Sequence, residues 1–260
     1  MTPEIQVIGI PGMPEIKVGD DLARLIVEAA ERHSIPIEEG DILVVTQKIV
    51  SKAEGQVIQM EDIEPSTIAL QLSEGTHRDP RHTEVILRES KRIVRMDRGN
   101  IISETHHGFN CANAGVDASN VPGEGTLALL PVDPDASAEG IRNGIKERLG
   151  KDVAVIISDT FGRPWREGAV NVAIGVAGMN PLLDYRGRED ASGKLLRSTV
   201  IAVADELAAT AELVTGKVRG VPVALIRGYA YGPADASEPQ GDLPKGARAL
   251  IRPPERDMFR

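Results

Sequence analysis

The sequence predicts an α/β fold of the mixed-sheet, α+β type. Hydrophobic residues recur at every second position, as in strands, and at helical spacing, and the two patterns interleave along all 260 residues. A regular strand–helix–strand alternation is missing, so a Rossmann fold is not predicted. Apolar residues make up 41% of the chain, enough to bury the core of one large domain or two modest ones.

Strands are predicted from period-two alternation or from short apolar runs between turn residues. Pro11-Gly12 ends the first strand, Gly40-Asp41 introduces the second, and the run VAVII is the most apolar in the chain. In chain order, the predicted strands are residues 5–10, 42–45, 92–96, 100–103, 126–130, 153–157, 170–176 and 221–226.

Helices are predicted where apolar residues recur three and four positions apart. Asp20 and Asp21 suit the positive end of the first helix dipole, and Gly150 and Gly216 end the last two helices. In chain order, the predicted helices are residues 20–30, 65–73, 80–90, 137–149 and 199–215.

Two connections carry polar residues that are in position to contact a ligand. Residues 46–52 follow a buried strand, and residues 104–125 are too many for a simple link. From Tyr229 the chain is rich in Pro, Gly, Asp and Arg, and we expect it to be extended. Residues 1–230 are expected to form a single domain, as one body or as two lobes, and residues 231–260 a C-terminal tail.

The composition argues against several classes of protein. A net charge of −9 disfavours non-specific nucleic-acid binding. Cys111 is the only cysteine, so no intrachain disulfide can form, and a cytoplasmic location is expected. We expect no signal peptide and no membrane span, because the longest weakly interrupted apolar stretch, residues 169–183, contains Asn171, Asn180 and Pro181.

The stretch ISDTFGRPWREG, residues 157–168, places a carboxylate and a hydroxyl at the end of the most apolar strand. Asp159 and Thr160 are hard oxygen ligands of the kind that Mg²⁺ takes together with water and phosphate oxygens. The same residue types also cap helices and turns, so the local sequence leaves a metal site and a cap equally open.

A second stretch, CANAGVDASNVPGEG, spans residues 111–125 and contains Asp117 and Asn120 among small residues. Small residues let backbone N–H groups approach an anion closely. The Asp117 carboxylate could share a metal ion with Asp159, and an ordinary Asx-turn loop is the alternative.

Cationic side chains gather in an otherwise acidic chain. Guanidinium groups match phosphate and carboxylate oxygens, and two predicted loops contain four of them: Arg163, Arg166, Arg186 and Arg188. Surface ion pairs with neighbouring carboxylates are the alternative. Lys48 and Lys52 either reach phosphates or are exposed.

The standard nucleotide-binding glycine signatures are absent, so neither a P-loop nor a dinucleotide fold is predicted.

Together, five stretches resemble the coenzyme F420-0:γ-glutamyl ligases: GIPGMPEIKVGDDL, QKIVSKAEG, CANAGVDASNVPGEG, ISDTFGRPWREGAVNVAIGVAGMNPLLDYRGRED and VADELAATAELVTGKVRGVPVALIRGY. The resemblance implies a GTP-dependent ligase that adds L-glutamate to the lactyl-phosphodiester tail of coenzyme F420-0, with residues 1–230 as the catalytic domain. It also implies two divalent ions, Mg²⁺ or Mn²⁺, a role for K⁺, a homodimer, and a fold unlike that of the ATP-grasp ligases.

The same resemblance implies roles for individual residues. Asp117 and Asp159 would bind one metal ion and Thr160 the second, and Asp117, Asp159 and Arg166 are the expected catalytic residues. We assign the four loop arginines to the anionic substrates. The nucleotide would be lined by Met13, Pro14, Glu15, Ile16, Gln47, Lys48, Lys52 and Asn120, and by the turn of Thr215, Gly216, Lys217, Val218, Arg219, Gly220, Val221 and Pro222.

Lys217 departs from the pattern, because the resemblance implies an oxygen ligand for the second metal ion at this position. An ammonium group cannot coordinate a cation. Either the alignment of this turn is shifted, or Glu212 or water supplies the missing ligand.

Amide formation from a carboxylate needs an activated acyl group, so we expect the GTP γ-phosphate to be transferred to the substrate carboxylate. The glutamate amine then attacks the acyl phosphate, and GDP and phosphate are released.

Two other functions stay open. One is a metal-dependent phosphohydrolase with Asp159 as nucleophile, although Phe161 stands where the haloacid-dehalogenase type has a second Asp. The other is a guanine-nucleotide-binding regulatory module.

Overall fold

The computed structural model describes residues 3–119, 123–232 and 245–257. The α-helices in these ranges are α1 (Leu22–Arg32), α2 (Gln47–Ala53), α3 (Thr67–Ser73), α4 (Pro80–Arg88), α5 (Pro134–Leu149) and α6 (Val203–Thr215). The strands are β1 (Gln6–Ile10), β2 (Ile42–Thr46), β3 (Val57–Gln59), β4 (Ser90–Asp97), β5 (Asn100–Thr105), β6 (Asn110–Ala112), β7 (Thr126–Ala128), β8 (Ala154–Gly162), β9 (Ala169–Ala177), β10 (Leu183–Asp184), β11 (Val200–Ile201) and β12 (Val223–Arg227). The predicted mixed α+β fold is confirmed.

The central sheet has the strand order β1-β12-β2-β8-β9. Only β2 and β8 run parallel, with Ile42 opposite Ala154, and the other neighbours are antiparallel. The carboxyl ends of β2 and β8 therefore meet at one edge of the sheet. Such edges are common places for ligand sites in α/β proteins.

Both faces of this sheet are buried. On β2, Leu43 and Val45 belong to the core that includes α1 and α5, whereas Ile42 and Val44 belong to the core that includes α6. Because neighbouring residues of a strand point to opposite faces, a sheet covered on both sides has continuously apolar strands. The apolar runs in the sequence follow from this arrangement.

A third and smaller core lies in the chain segment that connects β2 to β8. It contains Val85 and Ile86 of α4, Ile101 of β5 and Leu127 of β7. Two small sheets accompany it, β4-β5-β6 and β3-β7. Asp117 belongs to this segment and contacts Lys48 of α2, the helix that follows β2.

Four predictions of local structure were wrong in detail. The polar connection of residues 46–52 is largely the helix α2. The last helix begins at Val203 instead of residue 199, because β11 pairs with β10 before it. The connection of residues 104–125 contains β6. The predicted extended tail forms short 3-10 helices in residues 246–250 and 254–256, and Ala247 is buried with its N–H donating to Asp135.

No helix within the described ranges is both long and apolar enough to cross a membrane.

Candidate active site

A cleft of about 580 Å³ lies at the edge of the central sheet where β2 ends. Thr46, the last residue of β2, pairs with Ser158 of β8, and both line the cleft. The remaining walls come from the loop after β1, the start of α2, β9, and the turn between α6 and β12. Segments that are distant in sequence therefore share one cavity.

Asp159 and Thr160 lie inside a strand, whereas the sequence placed them after its end. The register of β8 against β9 shifts between Ile157 and Ser158, and β8 then continues to Gly162 with Thr160 opposite Asn171. Since β2 stops opposite Ser158, this part of β8 has only β9 as a hydrogen-bonded neighbour. The interpretation of the two residues as a helix or turn cap is wrong, and both side chains line the cleft.

The Asp159 carboxyl is strongly perturbed by its surroundings. Burial raises its pKa to about 6, and the negative charge of Asp117 adds to the increase. A hydrogen bond from the Thr160 N–H and the ammonium charges of Lys217 and Lys48 oppose it. A carboxylate in this position gains from a nearby cation, so it is suited to binding a metal ion.

Lys48 links the Asp117 loop to the cleft. Its Nζ lies 2.7 Å from Asp117 Oδ2 and donates to Ser119 Oγ at 2.8 Å. The Ser119 N–H donates to Asp117 Oδ1 at 2.7 Å, so the loop is also the Asx turn that the sequence left open. Although burial acts to raise it, the pKa of Asp117 is lowered by these hydrogen bonds and by the Lys48 charge. Asp117 is therefore a stable carboxylate at neutral pH.

A chain of hydrogen bonds connects the cleft to α6. Thr160 Oγ1 donates to Asn171 Oδ1 at 2.7 Å, and Asn171 Nδ2 donates to Glu212 Oε2 at 2.9 Å. Lys217 Nζ donates to Thr160 Oγ1. Sequence reasoning did not select Asn171 as a site residue, although a polar side chain on the apolar strand β9 was an available signal.

Two buried polar atoms of the cleft, Gln47 Nε2 and Ser158 Oγ, have no hydrogen-bond partner among the described residues. Such atoms are rare, because leaving one unpaired costs about 1–3 kcal/mol. A bound ligand would supply the missing partners. Ser158 was not predicted as a site residue.

Most residues assigned to the nucleotide line the cleft. Ile16 and Thr215 are buried and do not line it, and Arg219 donates to carbonyl oxygens at the end of α6. Asn120 lies outside the described residues. The lining residues are Met13, Pro14, Glu15, Gln47, Lys48, Lys52, Gly216, Lys217, Val218, Gly220, Val221 and Pro222.

The four loop arginines lie elsewhere, since none of them lines the cleft. Arg163 donates to two carbonyl oxygens of its own loop. Arg186 Nη2 lies 2.5 Å from Asp184 Oδ2, so this arginine forms the surface ion pair that was the alternative to anion binding. Arg188 lies over a tyrosine ring, and Arg166 is exposed. Their binding of an anionic substrate stays a prediction.

The donor set fits one divalent ion. In the described part of the chain, no three His, Cys, Asp or Glu side chains form a group that could hold a metal ion. Mg²⁺ is often held by one or two carboxylates and completes its shell with water and phosphate oxygens, which suits Asp117 and Asp159. Thr160 fits a second ion poorly, because its hydroxyl accepts from Lys217 and donates to Asn171.

A second groove, of about 720 Å³, lies between α1 and α5. Carboxylates dominate its polar wall, and they would repel phosphate groups. The groove is therefore a poor candidate for a nucleotide site. Its carboxylates are those of Asp20, Asp21, Glu54, Asp133 and Glu147.

A family model and several curated relatives match nearly the whole chain. The model for F420-0:gamma-glutamyl ligase matches residues 12–228. The coenzyme F420:L-glutamate ligase of Methanothermobacter thermautotrophicus is 49% identical over 257 residues, 98% of this chain and 99% of that enzyme. Ligases of the same name from Methanopyrus kandleri and Methanocaldococcus jannaschii are 47% and 45% identical, and the matches cover 99% of this chain and 98% and 97% of those enzymes.

Proposed function

Because the chain belongs to the F420-0:gamma-glutamyl ligase family and is a ligase, we propose that it joins L-glutamate to the lactyl-phospho tail of coenzyme F420-0 at the expense of GTP. The supporting observation is the cleft, where the ammonium groups of Lys48, Lys52 and Lys217 lie with the Asp159 carboxylate at the end of β2. A triphosphate needs cations of this kind to offset its charge.

The triphosphate is proposed to bind along the turn between α6 and β12. Gly216 and Gly220 of this turn have positive φ angles of 57° and 65°, and both line the cleft without a side chain. Backbone N–H groups in such turns approach phosphate oxygens closely. Lys52 also lines the cavity, with its Nζ 2.7 Å from Glu15 Oε1.

The proposed reaction has two steps. A carboxylate oxygen of the substrate tail attacks the γ-phosphorus, the bond from that phosphorus to GDP breaks, and an acyl phosphate forms. The glutamate nitrogen then attacks the acyl carbon, phosphate leaves, and the nitrogen loses a proton. Repetition on the product would add further γ-linked glutamates.

The protein's part in such a reaction is mainly to position groups and offset charge. Lys48 and Lys217 would contact phosphate oxygens, and Asp117 and Asp159 would hold a divalent ion, Mg²⁺ or Mn²⁺. That ion, when bound, offsets phosphate charge. The loop arginines, with Arg166 foremost, are proposed to hold the anionic substrates.

A homodimer and a K⁺ requirement are also proposed. The dimer is supported by β4, an edge strand of its sheet on which Ile93, Val94 and Met96 are at least 36% exposed, because exposed apolar edges favour pairing with another chain. Light scattering should give twice the 27.9 kDa of the chain. The ligation rate should fall when Na⁺ replaces K⁺.

The test is an incubation with GTP, Mn²⁺, L-glutamate and coenzyme F420-0, followed by mass spectrometry. A product heavier by one glutamyl unit, formed together with GDP, is the expected result. GDP release without that product would instead favour the phosphohydrolase. Nucleotide binding without turnover would favour the regulatory module.

A further inference from the structure

We propose that the Lys217 ammonium takes the place of a second divalent cation, so that this chain binds one metal ion with each GTP. The inference rests on the proposed function, because it concerns the ions that accompany bound nucleotide. It accounts for the lysine at a position where the resemblance implies an oxygen ligand, because the positive charge of the side chain replaces that of the ion.

The Thr160 hydroxyl is already engaged by two side chains. Its proton is donated to Asn171 Oδ1 at 2.7 Å, and its oxygen accepts from Lys217 Nζ. A magnesium ion at this oxygen would lie about 2.1 Å from it. Ion and ammonium would then touch the same oxygen atom, and the repulsion between their like charges disfavours simultaneous binding.

One oxygen of the Glu212 carboxylate is engaged within the protein and does not face Thr160 as a free ligand. Its Oε2 accepts from Asn171 Nδ2 at 2.9 Å and from Thr215 Oγ1 at 3.3 Å. This carboxylate therefore orients Asn171, which in turn orients Thr160. The whole chain of hydrogen bonds presents Thr160 to the ammonium group.

The Lys217 ammonium also provides the positive charge that a second ion would otherwise have to supply. The Lys217 ammonium already contacts Thr160, the residue next to Asp159 in β8. It also lines the cleft assigned to the phosphates. A single divalent ion held by Asp117 and Asp159 would, together with this ammonium, supply positive charge at both Asp159 and Thr160.

The experiment counts bound metal ions directly. The full chain is dialysed against Mn²⁺ with a GTP analogue that has a β,γ-imido bridge, and bound Mn²⁺ and nucleotide are measured. The native chain should hold one Mn²⁺ per nucleotide. Lys217→Gln, which removes the ammonium and adds an amide oxygen, should hold two. Lys194→Gln, which removes an ammonium group from an exposed loop outside the cleft, should still hold one.

Two Mn²⁺ per nucleotide in the native chain would overturn the proposal, as would one in a Lys217→Gln variant that melts at the native temperature. Absence of nucleotide binding by the native chain would instead refute the proposed function. A kinetic measurement adds a second readout. At limiting Mn²⁺, ligation by Lys217→Gln should be slower than native by about tenfold and should recover at high Mn²⁺.

Discussion

The cleft and the two arginine loops both carry positive charge, but they hold it in different ways. In the cleft, Lys48 bonds to a residue 71 positions away in sequence and Lys217 to one 57 positions away. In the loops, Arg186 pairs with a carboxylate two positions away, and Arg163 bonds to carbonyl oxygens four and five positions away.

The cleft charges are therefore more firmly preorganised than the loop charges. A contact between distant segments fixes a charge relative to the sheet, whereas a local contact moves with its loop. Groups that stabilise a transition state have to be held in place before the reaction. We therefore expect the cleft lysines and carboxylates to affect turnover, and the loop arginines to affect substrate affinity.

The largest effect is expected from Asp159→Asn. The amide keeps the shape of the side chain but cannot supply the charge that holds a divalent ion, so ligation should fall by at least about 100-fold. Mass-spectrometric product formation measures it, and an unchanged circular dichroism spectrum shows that the fold is intact. Asp184→Asn in the loops is the matched control and should lose less than about threefold. Full activity of Asp159→Asn would refute its metal-binding role.

A smaller effect is expected from Lys48→Met. Loss of the ammonium leaves Asp117 without its ion-pair partner and removes the proposed phosphate contact, so kcat/KM for GTP should fall by about 10- to 100-fold. Lys194→Met removes a lysine from the exposed loop region and serves as the control. Equal losses in the two variants would contradict the expectation that charges in the cleft matter more for turnover than charges in the loops.

Arg166→Ala should act on affinity. We expect its KM for L-glutamate or for coenzyme F420-0 to rise by about 3- to 10-fold, with little change in the KM for GTP. Arg186→Ala should have less effect, because Asp184 already pairs with that guanidinium. A change confined to the KM for GTP would place Arg166 in the nucleotide site.

The smallest effect concerns stability against pH. Burial raises the folded-state pKa of Asp159 from 3.8 to about 6, so the folded state binds this proton more tightly than the unfolded state. The protonated carboxyl therefore contributes to stability at low pH, and this contribution is lost as the pH rises from 3.8 to about 6 and beyond. The pKa of Asp184 is lowered by the hydrogen bond from Arg186, so its contribution has the opposite sign and is lost as the pH falls.

Metal-free Asp159→Asn should therefore melt about 2–5 °C above the native chain near pH 8, and close to it near pH 4. Thermal melts in EDTA at the two pH values test this. An equal difference at both values would show that the Asp159 carboxyl is not perturbed by burial.

The strands were predictable because burial on both faces of the sheet makes them uniformly apolar. The helix α2 was not, since it is only seven residues long and its buried residues include Gln47 and Ser51. Ser51 Oγ donates to Gln47 Oε1 at 2.8 Å, so polar groups face inward where the helical pattern requires apolar ones.

The candidate site was predictable in its residue types but only partly in its geometry. Asp159 and the lysines at residues 48, 52 and 217 were named from the sequence, and all four line the cleft. The local sequence could not decide between a cap and a metal site at Asp159, because that choice depends on the register shift in β8. Ser158 was missed for the same reason, whereas Asn171 could have been found as a polar residue on the apolar strand β9.

Local patterns in the sequence were enough to predict the long strands and helices, the glycine turns and the charged residue types, but not short elements such as α2 and β6. The tertiary structure decided which charges meet. Lys217 reaches Thr160 only because the turn before β12 packs beside β8, and the pKa of Asp159 rises only because the fold buries it. Burial and contacts between distant segments come from packing, which no local stretch of sequence contains.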